Sequence, residues 1–88
     1  MSAEAAQVIQ SVIYDILARV CGVSTRSLSA HDELAEVVEM TSMTIVQLAI
    51  ELHSQFAIDF GLEPSDLDAL KSVASLAELV ERRLAVVA

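Results

Sequence analysis

Eighty-eight residues allow one small domain, and a hydrophobic share of 55% is enough to close a core, so wholesale disorder is not expected. Asp and Glu number 13 against 5 Lys and Arg, and the net charge of -8 sets up a field that repels nucleic acid and anionic membranes. One cysteine closes no internal disulfide, no Cys/His spacing suits zinc, and no apolar run approaches the ~18 residues of a membrane span; a metal site, a disulfide staple and membrane insertion drop away.

Two glycines and one proline are too few turn-makers for an all-β chain, which needs a turn every ~8–12 residues, so an all-α fold is expected. The opening Met-Ser-Ala-Glu is not a basic leader, and a cytoplasmic monomer, a single domain over residues 1–88, is the expectation.

From Glu4 to Cys21, Val8, Ile9, Val12, Ile13, Ile16, Leu17 and Val20 repeat at i, i+3, i+4 and i+7, which marks one face of a first helix. Gly22 follows where a left-handed residue is wanted. Across Val23 to Thr41, Ser24, Thr25, Ser27, Ser29 and Asp32 compete with the backbone for hydrogen bonds, so regular helix is disfavoured. Val23, Leu28, Leu34, Val37 and Val38 read as pegs that hold this long loop on the core, with room for a turn of helix around Asp32 to Glu36.

Met43, Ile45, Val46, Leu48, Ala49, Ile50, Leu52 and Phe56 give a second helix whose apolar arc is broader than one buried face requires. Thr41 and Ser42 are its N-cap candidates, and Gly61 and Pro64 end the region. Pro64 suits the first turn of a short third helix, Ser65 to Leu70. Ser72 or Ser75 opens the last helix, where Ser75 to Glu78 has capping-box spacing and Val73, Leu76, Val80 and Leu84 supply the stripe. Arg82 and Arg83 near its end would suit the helix dipole. The expectation is a four-helix bundle with a long first connection and a short third helix.

Charge is segregated. No Lys or Arg lies between Arg26 and Lys71, while Asp32, Glu33, Glu36, Glu39, Glu51, Asp59, Glu63, Asp66 and Asp68 do. Such a pole aids solubility or docks basic partners. Cys21 reads as a small core residue, His31 and His53 as solvated imidazoles, and Glu36 and Glu39 as rim charges without an apolar pocket. No catalytic constellation stands out, and the chain is not expected to be an enzyme.

Ser42 concentrates the functional argument. It lies where a long loop meets the positive end of a helix, whose unpaired N–H groups favour a phosphate ester. Met43, Val46 and Ile50 cannot face the core together with Ile45, Leu48, Leu52 and Phe56, so an apolar strip is left outward beside the serine.

Gly22-Val23, Leu28-Ser29, Leu34, Val38, Ser42-Met43, Val46, Leu48, Leu52 and Phe56 resemble the acyl carrier protein family in spacing, without a gap. Leu70-Lys71-Ser72-Val73 and Leu76 to Val80 resemble its entry to the last helix, after a two-residue insertion. The resemblance implies an acyl-carrier-like four-helix bundle. It also implies a 4′-phosphopantetheine arm, derived from coenzyme A and carried on Ser42, with an acyl or aminoacyl thioester on the arm's thiol. The implied partners are a phosphopantetheinyl transferase and acyl- or aminoacyl-loading and acyl-transfer enzymes. They would dock on Thr41, Met43, Val46, Gln47, Ile50 and Glu51, and Ala49, Leu52, Val73 and Leu76 are candidates to shelter an acyl chain. Glu39 and Thr41 stand where the family usually has Gly and Asp, and Gln47, His53 and Ser54 where it often has Glu. These departures suggest a specialised carrier; the Ser42-Met43 pair and the run from Glu51-Leu52 to Phe56-Ala57-Ile58 resemble D-alanyl and other aminoacyl carriers. The alternative is an unmodified helical interaction module that keeps the carrier fold.

Overall fold

A computed structural model describes residues 3–24, 28–60 and 64–87. In chain order it contains α1 (Ala3–Cys21), α2 (Leu34–Val37), α3 (Ser42–Phe56), α4 (Pro64–Asp68), a 3-10 turn (Ala69–Lys71) and α5 (Val73–Val87). Among the described residues there is no strand, as the scarcity of turn-makers predicts. The fold is an all-α, acyl-carrier-like bundle. The turn of helix expected around Asp32 to Glu36 forms as α2, which starts two residues later and ends one residue later.

The centre of the bundle is α1, which packs against both α3 and α5. Its Ile9, Ile13, Ile16 and Leu17 are buried together with Leu48 and Leu52 of α3 and Val73, Leu76, Ala77, Leu79 and Val80 of α5. Removing these aliphatic side chains from water is the main favourable term, at about 1.5–3 kcal/mol for each large one. Val8 departs from the expected stripe: it is 63% exposed, because the buried arc is centred on Ile9, Ile13 and Ile16 and Val8 falls outside it. Gly22 ends α1 with φ +67°, the left-handed conformation expected of it.

The long connection is held by side chains and backbone alike. Leu34 and Val38 are buried, and Val23 and Leu28 pack on the core as pegs, but Val37 is 50% exposed. Leu34 and Val38 lie four residues apart on the inner side of the α2 turn, which turns Val37 outward. The Ser29 N–H donates to the Asp32 carboxylate at 2.8 Å, and the Ala74 N–H at the start of α5 donates to the Ala30 carbonyl at 2.8 Å.

Three sequence expectations shift at the helix ends. First, α3 stops at Phe56, well before Pro64, through a left-handed Ala57 (φ 55°) whose N–H donates to the His53 carbonyl; Gly61 lies outside the described residues. Second, α5 opens with a reciprocal box between Ser72 and Ser75. The Ser75 N–H donates to Ser72 Oγ at 3.1 Å and the Ser72 N–H to Ser75 Oγ at 3.0 Å, so Glu78 takes no part as the box acceptor. Third, Arg83 does not serve the end of its own helix. Its guanidinium donates to Asp66, a carboxylate with no exposed surface, and to the Asp59 carbonyl. The short third helix, expected over Ser65 to Leu70, divides into α4 and the 3-10 turn, with Pro64 as its first residue.

Candidate functional site

The N-cap of α3 is Thr41, in extended backbone at φ -80°, ψ 166°. Its Oγ1 accepts the Thr44 N–H at 3.2 Å and lies 3.1 Å from Thr44 Oγ1. The first bond of the helix runs from the Ile45 N–H to the Thr41 carbonyl at 3.0 Å. Of the two cap candidates, then, Thr41 carries out the capping, and Ser42 is left as the first helical residue. Ser42 is exposed, and among the described residues its hydroxyl has no hydrogen-bond partner. The Ser42 and Met43 N–H groups precede the first intrahelical donor, the Ile45 N–H, so the helix offers them no acceptor, and α3 has no acid in its first turn. This combination suits an attached phosphate: a reachable hydroxyl, the positive end of a 15-residue helix and no competing carboxylate.

Glu39, three residues before the serine, needs no glycine-like backbone. Among the described non-glycine residues, positive φ occurs at Ala57. The turn closes instead through the Thr41 N–H and the Glu39 carbonyl at 3.0 Å.

Around Ser42, α3 presents Met43, Val46 and Ile50 at 67%, 53% and 62% exposure, with Gln47 exposed among them. The outward strip expected from the sequence is present. Thr41 is exposed too, although its hydroxyl is occupied by the cap. Glu51 is half-buried and pairs with Arg19 of α1 at 3.2 Å. Of the acidic pole, Asp66 is withdrawn into the interior by Arg83, so that pole is smaller than the sequence suggests.

The four acyl-pocket candidates separate. Leu52, Val73 and Leu76 are buried in the packed core, whereas Ala49 is half-buried and lines a shallow surface groove with Ile50, His53 and Phe60. A different groove, of about 370 Å³, runs between α2, α3 and the α4 region, lined by Ala35, Met40, Ile45, Leu67, Leu70 and Lys71. Met40 and Ile45 place it two residues before and three after Ser42. Sequence reasoning missed this groove because α2 and the 3-10 turn after α4 meet only in the folded chain.

The remaining candidates stay apart from the serine. Cys21 is half-buried against the core, which pushes its thiol up from the ordinary value. His31 is exposed, and His53 lies 3.9 Å from Asp59 on the surface. Among the described residues no group of three or more His, Cys, Asp or Glu could hold a metal, and no helix is long and apolar enough to cross a membrane.

The family model described as "phosphopantetheine attachment site" matches residues 11–80, from the middle of α1 to the middle of α5. The chain belongs to this family. Its members carry covalently attached 4′-phosphopantetheine and act as carriers, a class of domain that is not catalytic itself. Carrier domains of this kind work with a phosphopantetheinyl transferase and with acyl-handling enzymes. Neither a curated protein nor a solved structure matches the chain significantly.

Proposed function

We infer that this chain is a specialised acyl or aminoacyl carrier whose arm is attached to Ser42. The observation that supports this most directly is the exposed, unpartnered Ser42 hydroxyl at the first position of α3, with the capping duty taken by Thr41. In the attachment reaction the hydroxyl proton passes to a base as Ser42 Oγ bonds to the pantetheine-side phosphorus of coenzyme A. The bond between the two phosphates breaks, and adenosine 3′,5′-bisphosphate leaves. A phosphodiester on Ser42 would be held at the N-terminus of α3 by the Ser42 and Met43 N–H groups, with the helix dipole favouring its charge.

The arm supplies a thiol that holds the cargo as a thioester. The protein supplies a rigid mooring, so that meetings between cargo and enzyme become tethered and the effective concentration rises. Partner enzymes dock on Thr41, Met43, Val46, Gln47, Ile50 and Glu51, within reach of the arm. An acyl chain could lie in the groove of Met40, Ile45, Leu67 and Leu70 without disturbing the core. Sheltering it among Ala49, Leu52, Val73 and Leu76 requires close-packed side chains to part. On this reading the carrier works as a cytoplasmic monomer and catalyses nothing by itself.

The test is incubation with coenzyme A and a broad-specificity transferase, followed by mass spectrometry. An arm-sized gain that Ser42→Ala abolishes is expected; no gain with any of several transferases counts against the reading. Thr41, which replaces the usual carboxylate before the serine, favours a second reading, the unmodified interaction module. On that reading Ser42→Ala leaves cellular activity intact while Met43→Asp or Val46→Asp destroys it.

A further inference from the structure

The groove lined by Met40 and Ile45, beside Ser42, has three walls, and they are not held in the same way. On the α2 side, Ala35 stands next to the buried Leu34, and Val38 is buried at the end of the same turn. On the α3 side, Ile45 belongs to a helix anchored by the buried Leu48 and Leu52. The third wall is Leu67 and Asp68 of α4, and the one buried residue of α4 is Asp66, a carboxylate. Five residues form no stable helix unaided, and α4 packs chiefly on the 3-10 turn that continues it.

Asp66 accepts from Nη2 of Arg83, whose Nη1 donates to the Asp59 carbonyl just beyond α3. The guanidinium fork is planar and rigid, so it fixes how far apart these two acceptors lie. A buried ion pair gains little over an apolar contact of the same volume, because both charges lose water; what it adds here is direction. Leu67 follows Asp66 by about 100° around the helix. With Asp66 turned into the interior, Leu67 is set on the groove at 48% exposure, while Leu70 of the 3-10 turn lines it from a buried position.

We propose that Arg83, acting through Asp66, is a positioning residue for the cargo: it holds α4 as the closing wall of the groove. An apolar acyl chain on the arm is then sheltered while the pair is intact, and meets water on its Leu67 side when the pair is broken. The inference rests on the carrier reading, with the acyl chain lying in the groove of Met40, Ile45, Leu67 and Leu70. A chain between Ile45 and Leu67 buries apolar surface on both sides, and that gain is largest when Leu67 is already in place. The walls from α2 and α3 do not depend on Arg83, since aliphatic side chains of the core hold them.

The test loads the full chain from octanoyl-coenzyme A with a broad-specificity transferase and compares its Ile45 and Leu67 methyl resonances with those of the chain loaded from acetyl-coenzyme A. In the native chain the longer acyl group is expected to shift both. In Arg83→Met the Leu67 shift should fall at least about twofold, in proportion to the fraction of molecules with α4 in place, while Ile45 keeps most of its own. Arg83→Lys keeps a charge beside Asp66 and secures a folded variant; its single ammonium cannot span both acceptors, and the same loss is expected in smaller measure. Ile9→Ala, a comparable loss of stability in α1 outside the groove lining, should leave the Leu67 shift unchanged. A Leu67 shift undiminished in the Arg83 variants that fold, one that Ile9→Ala diminishes equally, or an Ile45 shift that falls as far as that of Leu67 overturns this proposal alone. A loaded native chain in which neither methyl moves overturns the groove placement with it. Absence of any arm-sized mass gain at Ser42 rejects the carrier reading itself, and this inference along with it.

Discussion

Arg83 of α5 donates to the carboxylate of Asp66 in α4, and Asp66 has no exposed surface at all. The same guanidinium donates to the Asp59 carbonyl in the segment after α3. One side chain of the last helix thus holds both the exit of α3 and the short α4, the two segments that flank the grooves near the exposed Met43–Val46–Ile50 strip.

Removing one partner of this pair strands the other in a desolvated site. Arg83→Met is expected to lower unfolding free energy by about 3 kcal/mol, and Asp66→Asn by a similar amount. The double variant should lose clearly less than the sum, as interacting neighbours do. Urea denaturation of the three variants checks this; additive losses would mean that the pair is not the source.

Thr41 and Ser42 are adjacent hydroxyl residues with different work. Thr41→Ala removes the acceptor of the Thr44 N–H and should cost about 1 kcal/mol. Ser42→Ala removes a hydroxyl that holds nothing in the fold, so stability should move by less than about 0.5 kcal/mol while the arm-sized mass gain disappears. Thermal melts and mass spectrometry on the same two proteins separate cap from attachment point.

Ala57 adopts a left-handed conformation that costs an L-residue about 1–2 kcal/mol. Ala57→Gly relieves that cost and gives back part of it as unfolded-chain entropy, for a net stabilisation of about 0.5–1 kcal/mol. A melting temperature that falls on this substitution would contradict the assignment of the α3 C-cap.

Tyr14 is the sole tyrosine, so its titration can be read directly from absorbance. Burial first, and the negative charge of Asp32 second, raise its phenol above the ordinary value of 10.0. A raised folded-state value means that the stability contribution is complete below the unfolded-state value near 10 and is lost as pH climbs through the folded one. Asp32→Asn should bring the titration part of the way back, and burial should keep the rest.

The scarcity of Gly and Pro indicates the helical class, and periodicity with the cap residues indicates the three long helices and the placement of Ser42 at the head of α3 with Met43, Val46 and Ile50 turned outward. These features depend on which residues lie three or four apart, a spacing that any helix converts into a face. The same pattern could not say which of Thr41 and Ser42 caps the helix, since both sit at its start and only backbone geometry separates them. Nor could it show that Arg83 spans 17 residues to Asp66, that Arg19 meets Glu51, or that Ala57 turns the chain before Gly61 is reached. Those outcomes depend on how α1, α3, α4 and α5 cross and on which charges the crossing strands in a dry interior. Local sequence carries no term for that distance, so the core-facing stripe was legible in advance and the ionic contacts between helices belonged to the tertiary structure.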